Sequence, residues 1–148
     1  MVKIIIYTGL SLPFDEAKEI LDSSEGVEVI YKRPIKRGDL SLALRENPDI
    51  IAIIDGVFHQ SSAVGHKEIL NVMKNGVKVY GASSMGALRA SELDTLGMTG
   101  IGYVYNQYAS GEVDSVALEL IGIVLVVQIY LFVLTQKRVQ SGHHGTTL

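Results

Sequence analysis

Short apolar runs alternate with helical segments along the N-terminal part of the chain. The runs are rich in β-branched residues and are bounded by turn residues, which is typical of buried strands: Val2–Tyr7, Val27–Tyr31, Ile50–Ile54 and Val77–Tyr80. Helices are predicted between and after them, at residues 13–23, Leu40–Asn47, Val64–Asn75 and Ala87–Leu93, with Asp39 capping the second. Strands that alternate with helices are joined by right-handed crossovers. The pattern therefore predicts an α/β fold, an open and mostly parallel Rossmann-like sheet with helices on both faces.

The length of 148 residues suits one domain with its own core, which we place at residues 1–117. Residues 118–140 form a hydrophobic C-terminal segment. A membrane-spanning helix needs about 20 apolar residues and at least about 17, so this segment is marginal. We favour packing or homo-oligomerisation over membrane insertion. Residues 141–148 are predicted to be a disordered tail.

Composition narrows the classes of function. The chain has no cysteine, which excludes disulfides, thiolate catalysis and cysteine-based metal sites and fits a cytoplasmic protein. The net charge of −3 gives no electrostatic reason to expect nucleic acid as a partner. The first residues open directly into a strand, so a secretory signal is not expected. We expect neither a metal site nor a cofactor.

Two loops with unusual side chains follow the third and fourth predicted strands. The first is Asp55-Gly56-Val57-Phe58-His59, and the second is Gly81-Ala82-Ser83-Ser84-Met85-Gly86. The carboxyl ends of parallel strands meet at one edge of a sheet, where ligands bind in open α/β folds. If the two strands are neighbours, the loops face each other across one cleft.

The second loop places a serine where a strand ends and a helix begins. A hydroxyl there projects from a tight turn, beside unpaired N–H groups that point at a developing oxyanion. The pattern Ala82-x-Ser84-x-Gly86 has the logic of a nucleophile elbow without its full Gly-x-Ser-x-Gly. Two alternatives stay open: Ser83 or Ser84 caps the helix, or the helix N-terminus binds an anion.

A nucleophilic serine needs a base, and His59 and His66 are the histidines outside the C-terminal tail. Asp55 could orient a histidine or bind substrate, and a plain Asp-Gly turn is its alternative. Arg89 could hold an anion at the helix start or pair with Glu92 or Asp94 on the helix surface. Taken alone, each histidine is better explained as a solvated or capping residue.

Six motifs follow one another in a characteristic order and spacing. They are Arg37-Gly38-Asp39-Leu40, Ile54-Asp55-Gly56-x-Phe58, His66-Lys67-Glu68-Ile69-Leu70, the stretch 81–90, Glu92-Leu93, and Gly97-Met98-x-Gly100-x-Gly102. Together they resemble the TfuA-like core domain family across residues 3–117. The resemblance implies a partner of a YcaO enzyme in making backbone thioamides. Such a protein would supply sulfur by hydrolysing the thiocarboxylated C-terminus of a ubiquitin-fold, ThiS-like sulfur carrier.

On this hypothesis Ser84 is the nucleophile, His66 the base and Asp55 the orienting acid. The remaining candidates are the oxyanion donors and anion-binding residues Met85, Gly86 and Arg89, and the secondary candidates Ser83, His59, Glu68 and Glu92. Whether the chain is an enzyme stays open. One rival is an adaptor that presents the carrier tail to YcaO without catalysis. The other is an anion- or phosphate-binding module, which the lack of a full Gly-x-Gly-x-x-Gly and of a Walker lysine disfavours.

Overall fold

The computed structural model describes residues 1–22, 24–58 and 62–111. In this part of the chain five strands form one sheet, in the order β2-β1-β3-β4-β5. The strands are β1 (Val2–Tyr7), β2 (Val27–Lys32), β3 (Ile50–Ile53), β4 (Lys78–Ala82) and β5 (Thr99–Ile101). Every neighbouring pair is parallel. The predicted α/β class and the open parallel sheet are confirmed.

A helix follows each strand, and the first four lie at the predicted places. They are α1 (Phe14–Leu21), α2 (Asp39–Ala43), α3 (His66–Lys74), α4 (Met85–Leu93) and α5 (Tyr103–Ser110), with short 3-10 turns at Leu44–Glu46 and Asp94–Leu96. The prediction that Asp39 caps α2 is wrong. The cap is Gly38, at φ +89°, and the Asp39 carboxylate accepts the Lys36 N–H at 2.9 Å. Because Gly38 occupies the cap position in the left-handed region, Asp39 is the first residue of the helix.

The strand order determines which helices share a face. The chain moves in one direction from β1 to β2 and in the opposite direction at every later crossover. Right-handed crossovers therefore place α1 on one face of the sheet and α2, α3 and α4 on the other. The largest cluster of buried side chains lies on the second face and includes Ile5, Ile51, Ile53 and Ile69, each with no exposed area.

Strand β5 and helix α5 were not predicted, because glycines interrupt the hydrophobic pattern after Gly97. Both pack against α4, and Tyr105 joins them to each other and to the 3-10 turn that follows α4. The Tyr105 ring packs against Gly100 of β5, and the Tyr105 hydroxyl donates to the Asp94 carboxylate at 2.9 Å. This hydrogen bond is the main cause that raises the pKa of the Tyr105 phenol.

The predicted hydrophobic segment 118–140 and the tail 141–148 lie outside the described residues. Among the helices that the structure does describe, none combines the length and the hydropathy needed to span a bilayer.

Candidate functional site

Asp55 lies just beyond the carboxyl end of β3, at the centre of the sheet edge. Its backbone is held by the neighbouring strand, because the N–H groups of Ile54 and Asp55 donate to the Tyr7 carbonyl at 3.0 and 3.2 Å. The Ile35 N–H donates to the Asp55 carbonyl at 2.9 Å, so the loop after β2 also lies against this residue. Asp55 is only 7% exposed. A buried carboxylate needs hydrogen-bond donors.

The Asp55 carboxylate joins the loops that follow β1 and β4. Its Oδ2 accepts the N–H groups of Gly9 at 2.8 Å and Ser11 at 3.0 Å. Its Oδ1 accepts two hydroxyls, that of Ser11 at 2.5 Å and that of Ser84 at 3.0 Å. Because β3 and β4 are neighbours, the two predicted loops lie side by side and Ser84 contacts Asp55.

Sequence reasoning missed Gly9 and Ser11. The available signal was that β1 ends in Thr8-Gly9, at the same edge of the sheet. With the order β2-β1-β3-β4-β5, the direction of the crossovers reverses between β1 and β3. Open α/β sheets form their ligand crevice at this kind of reversal. The aspartate therefore lies at the point where the fold itself favours a site.

The turn between β4 and α4 is strained at Ser83. This residue has φ +63°, is 4% exposed, and has a buried hydroxyl without a hydrogen-bond partner among the described residues. Ser84 occupies the N-cap position of α4, but its side chain makes no capping hydrogen bond. Its hydroxyl donates to Asp55 and, at 3.4 Å, contacts the Ile54 carbonyl. Strained backbone of this kind is often found at functional sites.

The first turn of α4 packs directly on the end of β3. A Cβ added to Gly86 would lie 1.7 Å from the Ile53 carbonyl oxygen, so no side chain fits there. The Gly86 N–H donates to the Ile54 carbonyl at 3.4 Å, whereas the Met85 N–H has no acceptor within the described ranges. The Met85 side chain is buried under Gly56, where a Cβ would approach it to 2.6 Å. Asp55-Gly56 is thus more than a plain turn, because the glycine admits the methionine.

His66, Arg89 and Glu92 form a second cluster on the surface between α3 and α4. The His66 Nε2 lies 2.6 Å from the Glu92 Oε2, and the Arg89 Nη1 donates to the same oxygen at 2.8 Å. The Arg89 Nε also donates to the Val64 carbonyl at 2.9 Å. Glu92 is about two turns, roughly 12 Å, along α4 from Ser84. The hydrogen bonds therefore join His66 to Glu92, and Ser84 to Asp55.

The segment that contains both clusters matches a known protein family. Residues 55–121 match the TfuA-like protein family. This match confirms the resemblance for the motifs from Asp55 onward. The matched segment includes both Ser84 and His66, and the Arg37-Gly38-Asp39-Leu40 motif lies outside it. The TfuA-like family is associated with YcaO-dependent thioamidation. No curated protein matches the chain significantly.

The other candidates of the TfuA-like segment fall outside the Asp55–Ser84 contact. The Glu68 carboxylate accepts the N–H of Gly38 at 2.8 Å and that of Gly65 at 3.3 Å, so it ties the start of α3 to the start of α2. His59 lies outside the described residues.

Burial, and then the nearby Glu92, raise the pKa of the Tyr108 phenol. Within the described ranges, no group of three or more His, Asp or Glu residues could hold a metal ion.

Proposed function

We propose that this chain delivers sulfur to a YcaO enzyme by hydrolysing the thiocarboxylated C-terminus of a ThiS-like carrier protein. The observation that carries the proposal is the hydrogen bond from the Ser84 hydroxyl to the buried Asp55 carboxylate, at 3.0 Å. It places a hydroxyl in a fixed orientation at the sheet edge, beside the start of α4. An oriented hydroxyl next to unpaired backbone N–H groups is what acyl transfer requires.

The proposed reaction has two steps, the acylation of Ser84 and the hydrolysis of the acyl-serine ester. The Ser84 Oγ attacks the carbonyl carbon of the thiocarboxylate, the carbon–sulfur bond breaks, and hydrosulfide leaves with the proton that the hydroxyl gives up. Asp55 accepts the hydrogen bond that orients the Ser84 hydroxyl. The proton of that hydroxyl passes through the Asp55 carboxylate to the sulfur. Water then hydrolyses the acyl-serine ester: its oxygen enters the carboxylate of the carrier, one of its protons restores the Ser84 hydroxyl, and the other is released to solvent.

The negative charge that develops in this reaction is assigned to the start of α4. The Met85 N–H, which has no acceptor among the described residues, is the first oxyanion donor, and the Gly86 N–H joins it by releasing a long hydrogen bond. Arg89 already makes two hydrogen bonds, to Glu92 and Val64. We therefore give Arg89 the role of holding α3 against α4 rather than that of the primary anion ligand.

Exposed apolar side chains beside the site support a protein as the substrate. Leu10, in the loop after β1, is 91% exposed, and Phe58, in the loop after β3, is 55% exposed. Both loops contact or contain Asp55, so these side chains flank the proposed entry to Ser84. A carrier protein that docks on them would bring its flexible C-terminal tail to the hydroxyl.

The test is release of sulfide from a thiocarboxylated ThiS-like carrier. Ser84→Ala removes the nucleophile and is expected to lower the rate at least about 100-fold. Ser83→Ala is the matched control in the same turn. The Ser83 hydroxyl has no partner among the described residues, so its loss should leave the rate within about threefold.

A third variant tests the histidine. The proposal expects His66→Ala to lower the rate less than about tenfold, because the His66 ring contacts Glu92 and not Ser84. A loss as large as that of Ser84→Ala would show instead that His66 leaves Glu92 to act as the base. Full activity of Ser84→Ala would reject serine catalysis, whereas no sulfide release by the unmodified chain would favour the adaptor.

A further inference from the structure

A cavity of about 480 Å³ opens at the carboxyl ends of β1 and β2. Tyr7 and Tyr31 line it from the strands, Phe14 from the start of α1 and Leu42 from α2. Because α1 and α2 lie on opposite faces of the sheet, the cavity lies over the strand ends and is bounded from both sides. Its volume is in the range of small-ligand sites, and the ends of parallel strands are where such sites form.

The apolar part of the wall is available to a ligand. Phe14 is 41% exposed and Leu42 is 54% exposed, although both are large apolar side chains. Tyr7 is 1% exposed and forms the fixed floor, with its hydroxyl donating to the Asp39 carbonyl at 3.3 Å. An aromatic or branched apolar group of a ligand would bury the exposed faces of Phe14 and Leu42.

The charged part of the wall leaves one cation unpaired. Lys32 forms an ion pair with Glu46, and the Asp39 carboxylate accepts the Lys36 N–H. Arg33 is exposed and has no hydrogen bond or ion pair among the described residues. Its charge reaches the cavity floor: burial raises the pKa of the Tyr7 phenol, Asp39 and Glu46 raise it further, and Arg33 lowers it.

The tyrosines of the wall remain neutral. Burial, followed by the hydrogen bond to Asp22, raises the pKa of Tyr31 to about 12. The pKa of Tyr7 is raised as well. Neither phenol therefore places a negative charge in the cavity at neutral pH, where it would repel an anion.

We propose that this cavity is a binding site for a small anion with an aromatic or apolar body. The anionic group pairs with Arg33, and the apolar body lies between Phe14 and Leu42 over Tyr7. The site is separate from the Ser84 hydroxyl and goes beyond the proposed hydrolysis. A guanidinium suits a carboxylate, sulfonate or phosphate, to which it can donate two parallel hydrogen bonds.

The probe for the test is anilinonaphthalene sulfonate, which combines an aromatic body with one anionic group. Fluorescence titration of the full chain is expected to give one saturable site. Arg33→Gln should weaken binding about tenfold, since a hydrogen bond to a charged group is lost. Arg37→Gln is the matched control: Arg37 is an exposed arginine of the same loop that does not line the cavity, so affinity should stay within about twofold.

Two further measurements separate the cavity from general surface binding. Leu42→Trp fills the cavity from an exposed position and is expected to abolish saturable binding, and unchanged thermal unfolding verifies that the variant folds. The neutral analogue phenylnaphthylamine should bind with equal affinity to Arg33→Gln and to the unmodified chain.

Equal affinity of the sulfonate for Arg33→Gln and Arg37→Gln, or saturable binding that survives in folded Leu42→Trp, would overturn the proposal. Ser84→Ala should bind the probe as the unmodified chain does. Probe binding and sulfide release therefore test the cavity proposal and the hydrolase proposal separately.

Discussion

The Asp55–Ser84 pair and the His66–Glu92–Arg89 cluster lie on the same α/β unit but are built in different ways. The first is held by loops that follow three strands, and Asp55 is 7% exposed. The second joins side chains of two helices, and the side chains of His66 and Glu92 are 46% and 37% exposed. Strand ends fix atoms through the backbone, whereas helix surfaces bring together long side chains that also contact water.

This difference predicts different energetic roles. Removing the Asp55 carboxylate would leave the partly buried N–H groups of Gly9 and Ser11 without an acceptor, which is costly. Removing the Glu92 carboxylate would leave a half-exposed His66 ring and an Arg89 side chain that is 13% exposed and still donates to the Val64 carbonyl. Partly exposed ion pairs contribute little to stability. The buried pair should therefore govern both the fold of the edge and the chemistry, and the surface cluster should adjust the position of α3 against α4.

The largest effect is expected from a methyl group at the start of α4. Gly86→Ala would place a Cβ 1.7 Å from the Ile53 carbonyl oxygen, in backbone that cannot move aside without separating α4 from β3. We expect a loss of at least about 4 kcal/mol in the free energy of unfolding, or no folded protein. Urea unfolding followed by circular dichroism measures it.

The matched control is Gly65→Ala, at the start of the helix that bears His66. Gly65 has φ −87°, and the nearest atom to an added Cβ is the Glu68 Oε1 at 3.6 Å. A loss below about 1 kcal/mol is expected there. If both alanine variants were equally stable, the close contact between α4 and β3 would not be present in solution.

The next effect concerns the buried carboxylate itself. Asp55→Asn keeps the shape of the side chain but replaces an oxygen that accepts donors by an amide that donates. Gly9, Ser11 and Ser84 together supply four hydrogen bonds to the two oxygens. We expect the free energy of unfolding to fall by about 3 kcal/mol, and sulfide release to fall with it.

The contrary outcome is an Asp55→Asn variant that loses sulfide release but keeps its full free energy of unfolding. It would contradict the assignment of Asp55 as the residue that joins the three loops. Its role would then be confined to the reaction with Ser84.

The sequence predicts the buried pair better than the surface cluster, for a physical reason. Parallel strands end at one edge, so a polar residue after β3 and a serine after β4 must come close once the strands are neighbours. The contact with Ser11 was missed because it also requires β1 to be the other neighbour of β3. That order follows from the packing of helices on the two faces, which local patterns do not encode.

The surface cluster depends on the rotation of α3 relative to α4. The pattern predicts both helices, and it allows Arg89 either to hold an anion or to pair with Glu92 or Asp94. In the structure the Arg89 guanidinium donates to Glu92 at 2.8 Å. The pattern does not predict which residue of α4 the His66 ring meets, because that depends on tertiary packing. Strand β5 was missed for a related reason, since Gly100 lies in a strand only because Tyr105 and β4 pack against it.

The smallest effect is expected at the surface cluster, where salt distinguishes it from the buried pair. Glu92→Gln keeps the shape of the side chain and removes the charge that faces Arg89 and His66. In dilute buffer we expect a loss of at most about 1 kcal/mol in the free energy of unfolding. At about 1 M salt, where the Debye length is near 3 Å, this loss should largely disappear.

The loss caused by Asp55→Asn should persist, because its hydrogen bonds are buried. Urea unfolding at the two salt concentrations compares the two variants directly. If the loss of unfolding free energy in Glu92→Gln does not change with salt, Glu92 holds α3 and α4 together by hydrogen bonding rather than by charge.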